Sequence, residues 1–474
     1  MRLTSVFAAV LAATVAGPAL AAGAIKPVVD ISTDKANDLR GLTFVAGGKI
    51  VASGHVGMAV EAQKTVVARF MADGKPDTTF GTGGFAEVDL APGRGEQSLS
   101  VAAMANGDVV VAVNAVDADG GTSIYLLRFD ATGARKTGPA WGDADGKVEV
   151  TFGWANKDNA LFTGAARPND QSWDVVVDRS GGGERLVVFG SGPAAQGSGR
   201  TDNDRYVVRL NGANGAPDAA FNGGKPVAFH AGGVIGDNAR RSIVEADGSI
   251  VAAGYMGLGA GGNHVVLVRL TPSGALDEKF GNFVFPAETG KDLGIAARPG
   301  VAVFNPFRVD GGFAESYGVV RLSDGSYVTT GYGQATVANG PSTLGFKPTV
   351  MPDLVTFHVV GNALDANWGN KGAMAVQSEG LAKSTTEERG RALVALPDDR
   401  TVHVGYFGGV AAAYVFTKEG KLDTTVDGDG ILELGYATIP AQFFNVVAAP
   451  DNKRLAMSTN ANAAGARLVV LEVE

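Results

Sequence analysis

The sequence predicts an all-β fold, a β-propeller of seven four-stranded blades, with six and eight as the alternative counts. Three observations carry that prediction. A turn phrase, Asp-x-x-aromatic-Gly, returns along the chain. Turn glycines return at constant spacing: Gly74 and Gly133 are 59 residues apart (133 − 74), as are Gly215 and Gly274 (274 − 215). Glycine makes up 68 of 474 residues, about twice its usual share, and β-branched runs separate the glycines. A period of about 60 residues with four strands per unit is the sequence signature of propeller blades.

The unit reads most cleanly at 240–287. "RRSIVEADGSIVAAGY" (240–255) gives two strands around Asp247-Gly248, "HVVLVRL" (264–270) a third, and "TPSGALDEKFGNFVFPA" (271–287) a turn and a fourth. The first turn recurs as Gly47-Gly48, Asn106-Gly107, Asp324-Gly325, Asp398-Asp399 and Asp451-Asn452. Each pair tolerates positive φ, as a two-residue hairpin requires. The third strand recurs as "VVARF" (66–70), "YLLRF" (125–129), "YVVRL" (206–210), "VTFHV" (355–359) and "AYVFT" (413–417). The turn phrase recurs at Asp77/Phe80, Asp218/Phe221, Asp277/Phe280 and Asp365/Trp368, and degrades to Trp141 and to Asp423/Val426. The blades fall near 38–90, 95–152, 170–231, 236–287, 312–377, 387–436 and 442–474. The last supplies only three strands. "AIKPVVDIS" (24–32) reads like the fourth strand of other units and completes it, closing the ring and removing its exposed edges.

These repeats resemble the delta-60 repeat family of bacterial exported proteins, which are NHL-like propellers. The resemblance rests on "ADGKPDTTFGTGGFAEVDL" (72–90), "TPSGALDEKFG" (271–281) and "KEGKLDTTVDGDG" (418–430). It implies a propeller over residues 22–474 and no particular activity.

Residues 1–21 read as a secretory signal peptide: Arg2, an apolar run from Val6 to Val15, and a small-residue site at Ala19-Leu20-Ala21. Export to the periplasm or the exterior of a bacterium is expected. The run is too short to span a bilayer, and no later segment approaches the ~18 apolar residues a span needs. The chain holds no cysteine, so its core must hold it without disulfides. A net charge of −9 without basic clusters excludes a general nucleic-acid binder.

The long insertions, at 153–170, 191–204, 288–312 and 331–354, all read as second-to-third-strand loops or blade-to-blade links. Those share one face of a propeller, so that face is the expected binding face for a glycan, a peptide or an envelope protein. The residue opening the first strand is Arg40, Arg240 and Arg391 in three units. First strands line the central channel, so the three belong at its mouth on the looped face, where they suit a carboxylate, phosphate or sugar acid. Pairing with nearby Asp or Glu is the ordinary alternative. Asp143 and Asp145, and Asp427 and Asp429, sit in Asp-x-Asp-Gly turns, which suit a structural Ca2+ or plain turn chemistry. Arg69, Arg128, Arg209 and Arg269 recur with the turn phrase and are expected to staple blades. The histidines show no metal-binding spacing, and no nucleophile elbow, phosphate loop or cofactor motif is present. The leading expectation is a binding module. The alternative is a hydrolase or lyase acting on an anionic or sugar-like substrate at the channel mouth.

Overall fold

A computed structural model describes residues 25–33, 37–118, 120–152, 170–194, 198–232, 236–259, 262–287, 294–308, 311–334, 351–376, 387–434, 442–459 and 465–473. The expected signal peptide lies outside them. So do 153–169, 335–350 and parts of the insertions at 191–204 and 288–312.

The chain forms seven antiparallel-based sheets arranged as a ring, each counted from an inner strand outward. The inner strands are Asp38–Val45, Glu96–Ala103, Gln171–Gly181, Gly236–Val244, Phe313–Arg321, Arg389–Ala395 and Phe443–Ala448, for blades 1 to 7. Each inner strand packs on the next, and that of blade 7 returns to that of blade 1. Blade 7 is closed as expected: Ile25–Thr33 pairs antiparallel with Ala466–Val473, the last strand of the chain.

The core lies between blades. Val51 and Val67 of blade 1 cluster with Val111 and Leu127 of blade 2, and Phe80 of the turn phrase fills the seam. The phrase aromatic rests on the next blade's turn glycine. A Cβ at Gly420 would stand 2.4 Å from the Trp368 ring, and one at Gly274 3.1 Å from Phe221. These glycines therefore serve twice, by positive φ and by close approach. Arg69, Arg128 and Arg209 staple blades as expected, whereas Arg269 bonds within its own blade, to Glu245 and Asp277. Arg69 Nε donates to Asp77 at 2.8 Å while its Nη1 donates to Ala131 O of blade 2 at 2.6 Å. Arg209 repeats the pattern with Asp218 at 2.7 Å and Pro272 O of blade 4 at 2.8 Å. Arg128 uses Asp108 instead, because its own turn lacks the phrase aspartate.

Two details differ from the reading of the sequence. The first turns of blades 2, 4, 5 and 6 are three-residue loops. Met104 and Asp108 close the turn in blade 2, and only the second residue of the pair, Gly107, has positive φ. That is a type I turn with a following left-handed residue. In blade 4 the expected outer strand, Phe283–Phe285, is a fifth strand parallel to Val301–Phe304. It is Val301–Phe304 that pairs with the third strand, Asn263–Leu270. Gly300 N–H bonds Phe280 O, as Gly84 N–H bonds Phe80 O in blade 1. Of the 288–312 insertion, expected as a blade link, the part before Val301 thus belongs to the third-to-fourth connection, and only the part after Phe304 links to blade 5.

Candidate functional site

Every inner strand slips register by one residue at the same level, between Leu39 and Gly41 in blade 1 and at the matching point in each of the others. A β-bulge turns its extra side chain out of the ladder. The extra residues are Arg40, Leu99, Trp173, Arg240, Tyr317, Arg391 and Phe444. Together with Arg241 they line one cavity of ≈ 210 Å³ on the axis. They lie near the starts of the inner strands, on the face of the blade links. The three arginines of the sequence column are therefore brought together.

Around the ring, cations alternate with aromatic faces. The Arg240 guanidinium carbon lies 4.3 Å from the Trp173 ring centre and 4.6 Å from that of Tyr317. Arg391 lies 4.8 Å from Tyr317 and 5.2 Å from Phe444, and Arg40 4.3 Å from Phe444. Each such contact is worth about 0.5–2 kcal/mol. Acidic partners are fewer. Arg40 Nε donates to Asp38 Oδ2 at 2.7 Å. Arg240 donates to the Tyr255 hydroxyl at 2.7 Å, and Arg391 to Gln442 Oε1 at 2.8 Å. Among the described residues, neither Arg240 nor Arg391 forms an ion pair with a carboxylate, and Arg240 Nε, though buried, has no hydrogen-bond partner.

Two residues before each bulge stands a polar side chain: Asp38, Gln97, Gln171, Asn238, Glu315, Arg389 and Gln442. Neighbouring members touch ring or rim: Gln97 Nε2 donates to Asp38 Oδ2 at 3.3 Å. Burial pushes the Asp38 carboxyl up to about 6, against the pull of Arg40. Burial likewise raises Glu315. Glu315 Oε1 accepts from Asn263 Nδ2 at 2.6 Å. The Tyr317 and Tyr332 hydroxyls stand near enough to stabilise the Glu315 charge, yet neither completes a hydrogen bond to Oε2, which is buried and unpartnered.

Below the ring the channel widens to ≈ 960 Å³ toward the first-to-second turns, with Val101, Val175, Ile243 and Val319 in its wall. Arg241 borders both spaces. Its Nη2 donates to Phe444 O at 3.2 Å, across to blade 7.

The aspartates considered for Ca2+ lie apart from this site. Asp143 Oδ1 accepts the N–H groups of Asp145 at 3.0 Å and Lys147 at 2.8 Å, Asp145 pairs with Lys147 at 3.4 Å, and Asp429 Oδ1 accepts Ile431 N–H at 2.9 Å. Asp427 adopts φ 50° within its turn. These are turn-forming uses of the carboxylates. Among the described residues, the group with three converging metal-type ligands is Asp204, His230 and Asp237. His230 Nδ1 is 2.8 Å from Asp237 and 3.4 Å from Asp204. Those two carboxylates raise the imidazole to about 9, and Arg200 and Arg205 approach the same carboxylates. The protein's own cations already balance the cluster.

Sequence reasoning found the arginines but missed Trp173, Arg241, Tyr317, Phe444 and the polar rim. Trp173, Tyr317 and Phe444 stand in the arginine column of other units, Arg241 one residue after it and the rim two residues before it.

Residues 48–80 and 245–280 match a family model described as a domain of unknown function (DUF5122), β-propeller. No curated protein matches the chain. Among solved structures, the polysaccharide lyase Uly1 is similar over 93% of this chain and 90% of its own, with 10% identity and a TM-score of 0.50. Semaphorin 2a of Drosophila is similar over 96% and 76%, with 11% identity and a TM-score of 0.49. The periplasmic gluconolactonase PpgL of Pseudomonas aeruginosa is similar over 84% and 85%, with 15% identity and a TM-score of 0.44. At these identities the likeness is one of fold. No helix among the described residues is long and apolar enough to cross a membrane.

Proposed function

We propose that the protein is an exported binding module that holds a small anion at the channel mouth, on the face of the blade links. One observation carries the reading. Seven bulges direct Arg40, Arg240 and Arg391 into one cavity, where two of the three are held by aromatic faces and polar groups and not by carboxylates. A guanidinium without a carboxylate partner in a partly desolvated pocket attracts an anion more strongly than one on an open surface. The wider account, a repeat protein of the delta-60 kind, is supported by the two matched stretches, which span equivalent parts of blades 1 and 4. A hydrolase or lyase would draw on a histidine or carboxylate at the reacting centre, and the cavity lining holds neither among the described residues. Binding is therefore the preferred reading.

Titration calorimetry with acetate, phosphate and galacturonate, at low ionic strength, tests it. At least one anion is expected to bind, and Arg240→Met and Arg391→Met are each expected to weaken it about tenfold, as for loss of a charge-assisted hydrogen bond. Binding that ignores both substitutions would move the site elsewhere.

A further inference from the structure

We infer that the anion is a short dicarboxylate, held by one carboxylate between Arg240 and Arg391 at the mouth and by the other on Arg241 at the floor. This rests on the anion-binding reading above and goes on to the charge and shape of the ligand. Three features of the cavity lining select it.

The first is the number of cations left without a carboxylate. Four arginines line the mouth: Arg40, Arg240, Arg241 and Arg391. Arg40 has Asp38 in contact at 2.7 Å. Among the described residues, the other three have no carboxylate within ion-pair distance. Asp174 pulls on Arg241 from the wall of the lower channel. Its oxygens, however, accept from the Ser100 hydroxyl at 2.8 Å and Ser242 N–H at 3.1 Å. Glu315 and Glu387 stand outside the lining, bonded to Asn263 and Arg389, each at 2.6 Å. A monocarboxylate brings two acceptor oxygens to three guanidinium forks. A dicarboxylate brings four.

The second is the placement of Arg241. The blade 4 bulge sets both Arg240 and Arg241 against Ala253, so both leave the ladder. Arg241 borders the mouth and the wider channel below it. Its Nη2 reaches across to Phe444 O of blade 7 at 3.2 Å, its one hydrogen bond among the described residues. The cations therefore stand at two levels, Arg240 and Arg391 about Tyr317 and Arg241 beneath them.

The third is what lies between. Leu99, Trp173 and Phe444 line the same cavity. A phosphate dianion has no apolar part to set against them, whereas the methylenes of a dicarboxylate do. The ≈ 210 Å³ of the mouth is room for about seven water-sized groups at ≈ 30 Å³ each, close to a four-carbon diacid.

Calorimetry at low ionic strength tests the assignment, with wild-type protein and malonate, succinate, glutarate, butyrate, acetate and phosphate as probes. At least one dicarboxylate is expected to bind about tenfold or more tighter than butyrate, acetate and phosphate, as for one added charge-assisted contact. Arg241→Met is expected to remove most of that advantage, and Arg240→Met to weaken every carboxylate. Butyrate or phosphate matching the best dicarboxylate would overturn the dicarboxylate assignment and leave the anion site standing. So would an advantage untouched by Arg241→Met in protein with an unchanged circular dichroism spectrum. Affinity for every probe indifferent to Arg240→Met would remove both readings. The wild-type comparison decides the ligand class even where Arg241→Met does not fold.

Discussion

Two buried arginines in this propeller should answer the same substitution to very different degrees. Arg209 is 3% exposed and Arg240 7%. Arg209→Met removes the 2.7 Å bond to Asp218 and the 2.8 Å bond to Pro272 O on the next blade. It also strips Asp178, itself fully buried, of a partner at 3.4 Å, although Arg185 remains at 3.0 Å. Breaking a buried pair from one side costs about 3–5 kcal/mol. The surviving Arg185 contact puts this case near 3 kcal/mol. Arg240→Met removes three aromatic contacts and the bonds to Tyr255 and to Ala239 O, each at 2.7 Å, together worth a few kcal/mol. It also removes a buried charge with no carboxylate in contact, whose desolvation penalty is of order several kcal/mol. The two nearly cancel, and the expected change is within about 1 kcal/mol. Thermal melting would blur the contrast, since at this chain length 1 kcal/mol moves Tm by only about 1 °C. Urea unfolding resolves it through the shift in midpoint multiplied by the slope. If Arg240→Met destabilises as much as Arg209→Met, the mouth arginines are architecture and the functional reading of the ring fails.

Three further outcomes follow. Asp38 holds its proton up to about 6 because it is buried, so lowering the pH from 7 to 5 neutralises the partner of Arg40 and should tighten anion binding. Asp38→Asn should flatten that profile, and calorimetry across the range checks it. Gly420 and Gly428 both have positive φ, 77° and 85°. A Cβ at Gly420 meets Trp368 at 2.4 Å, while one at Gly428 meets nothing within 4 Å. Gly428→Ala should therefore lose only the ~1–2 kcal/mol of left-handed strain, and Gly420→Ala clearly more in urea unfolding. His230, raised to about 9 by Asp204 and Asp237 from 6.5, contributes stability that is complete below 6.5 and lost as pH rises through 9. Urea midpoints from pH 6 to 10 should fall for wild type and stay flatter for His230→Gln.

Much of the architecture was legible because the same physics repeats in each blade. A phrase that must turn the chain, staple it by arginine and fill a seam with an aromatic keeps its letters, so the blade repeat and the closing N-terminal strand could be read, while seven was chosen over six or eight only by counting degraded units. Blade 4 misled because Phe283–Phe285 satisfies the local strand pattern, and only pairing shows that Val301–Phe304 takes the antiparallel place. The mouth was half legible. Arg40, Arg240 and Arg391 stand out as charges opening an apolar strand, whereas Trp173, Tyr317 and Phe444 look like ordinary strand residues. What distinguishes them is the bulge, a one-residue excess relative to a partner strand, and a single strand's sequence does not display it.

The central claim is that the ring of bulge residues holds a carboxylate. A crystal structure of the protein soaked with whichever of acetate and galacturonate binds better tests it most directly. The account predicts the carboxylate between Arg240 and Arg391. An empty ring, or ligand seated only in the wider apolar channel below Arg241, would contradict it.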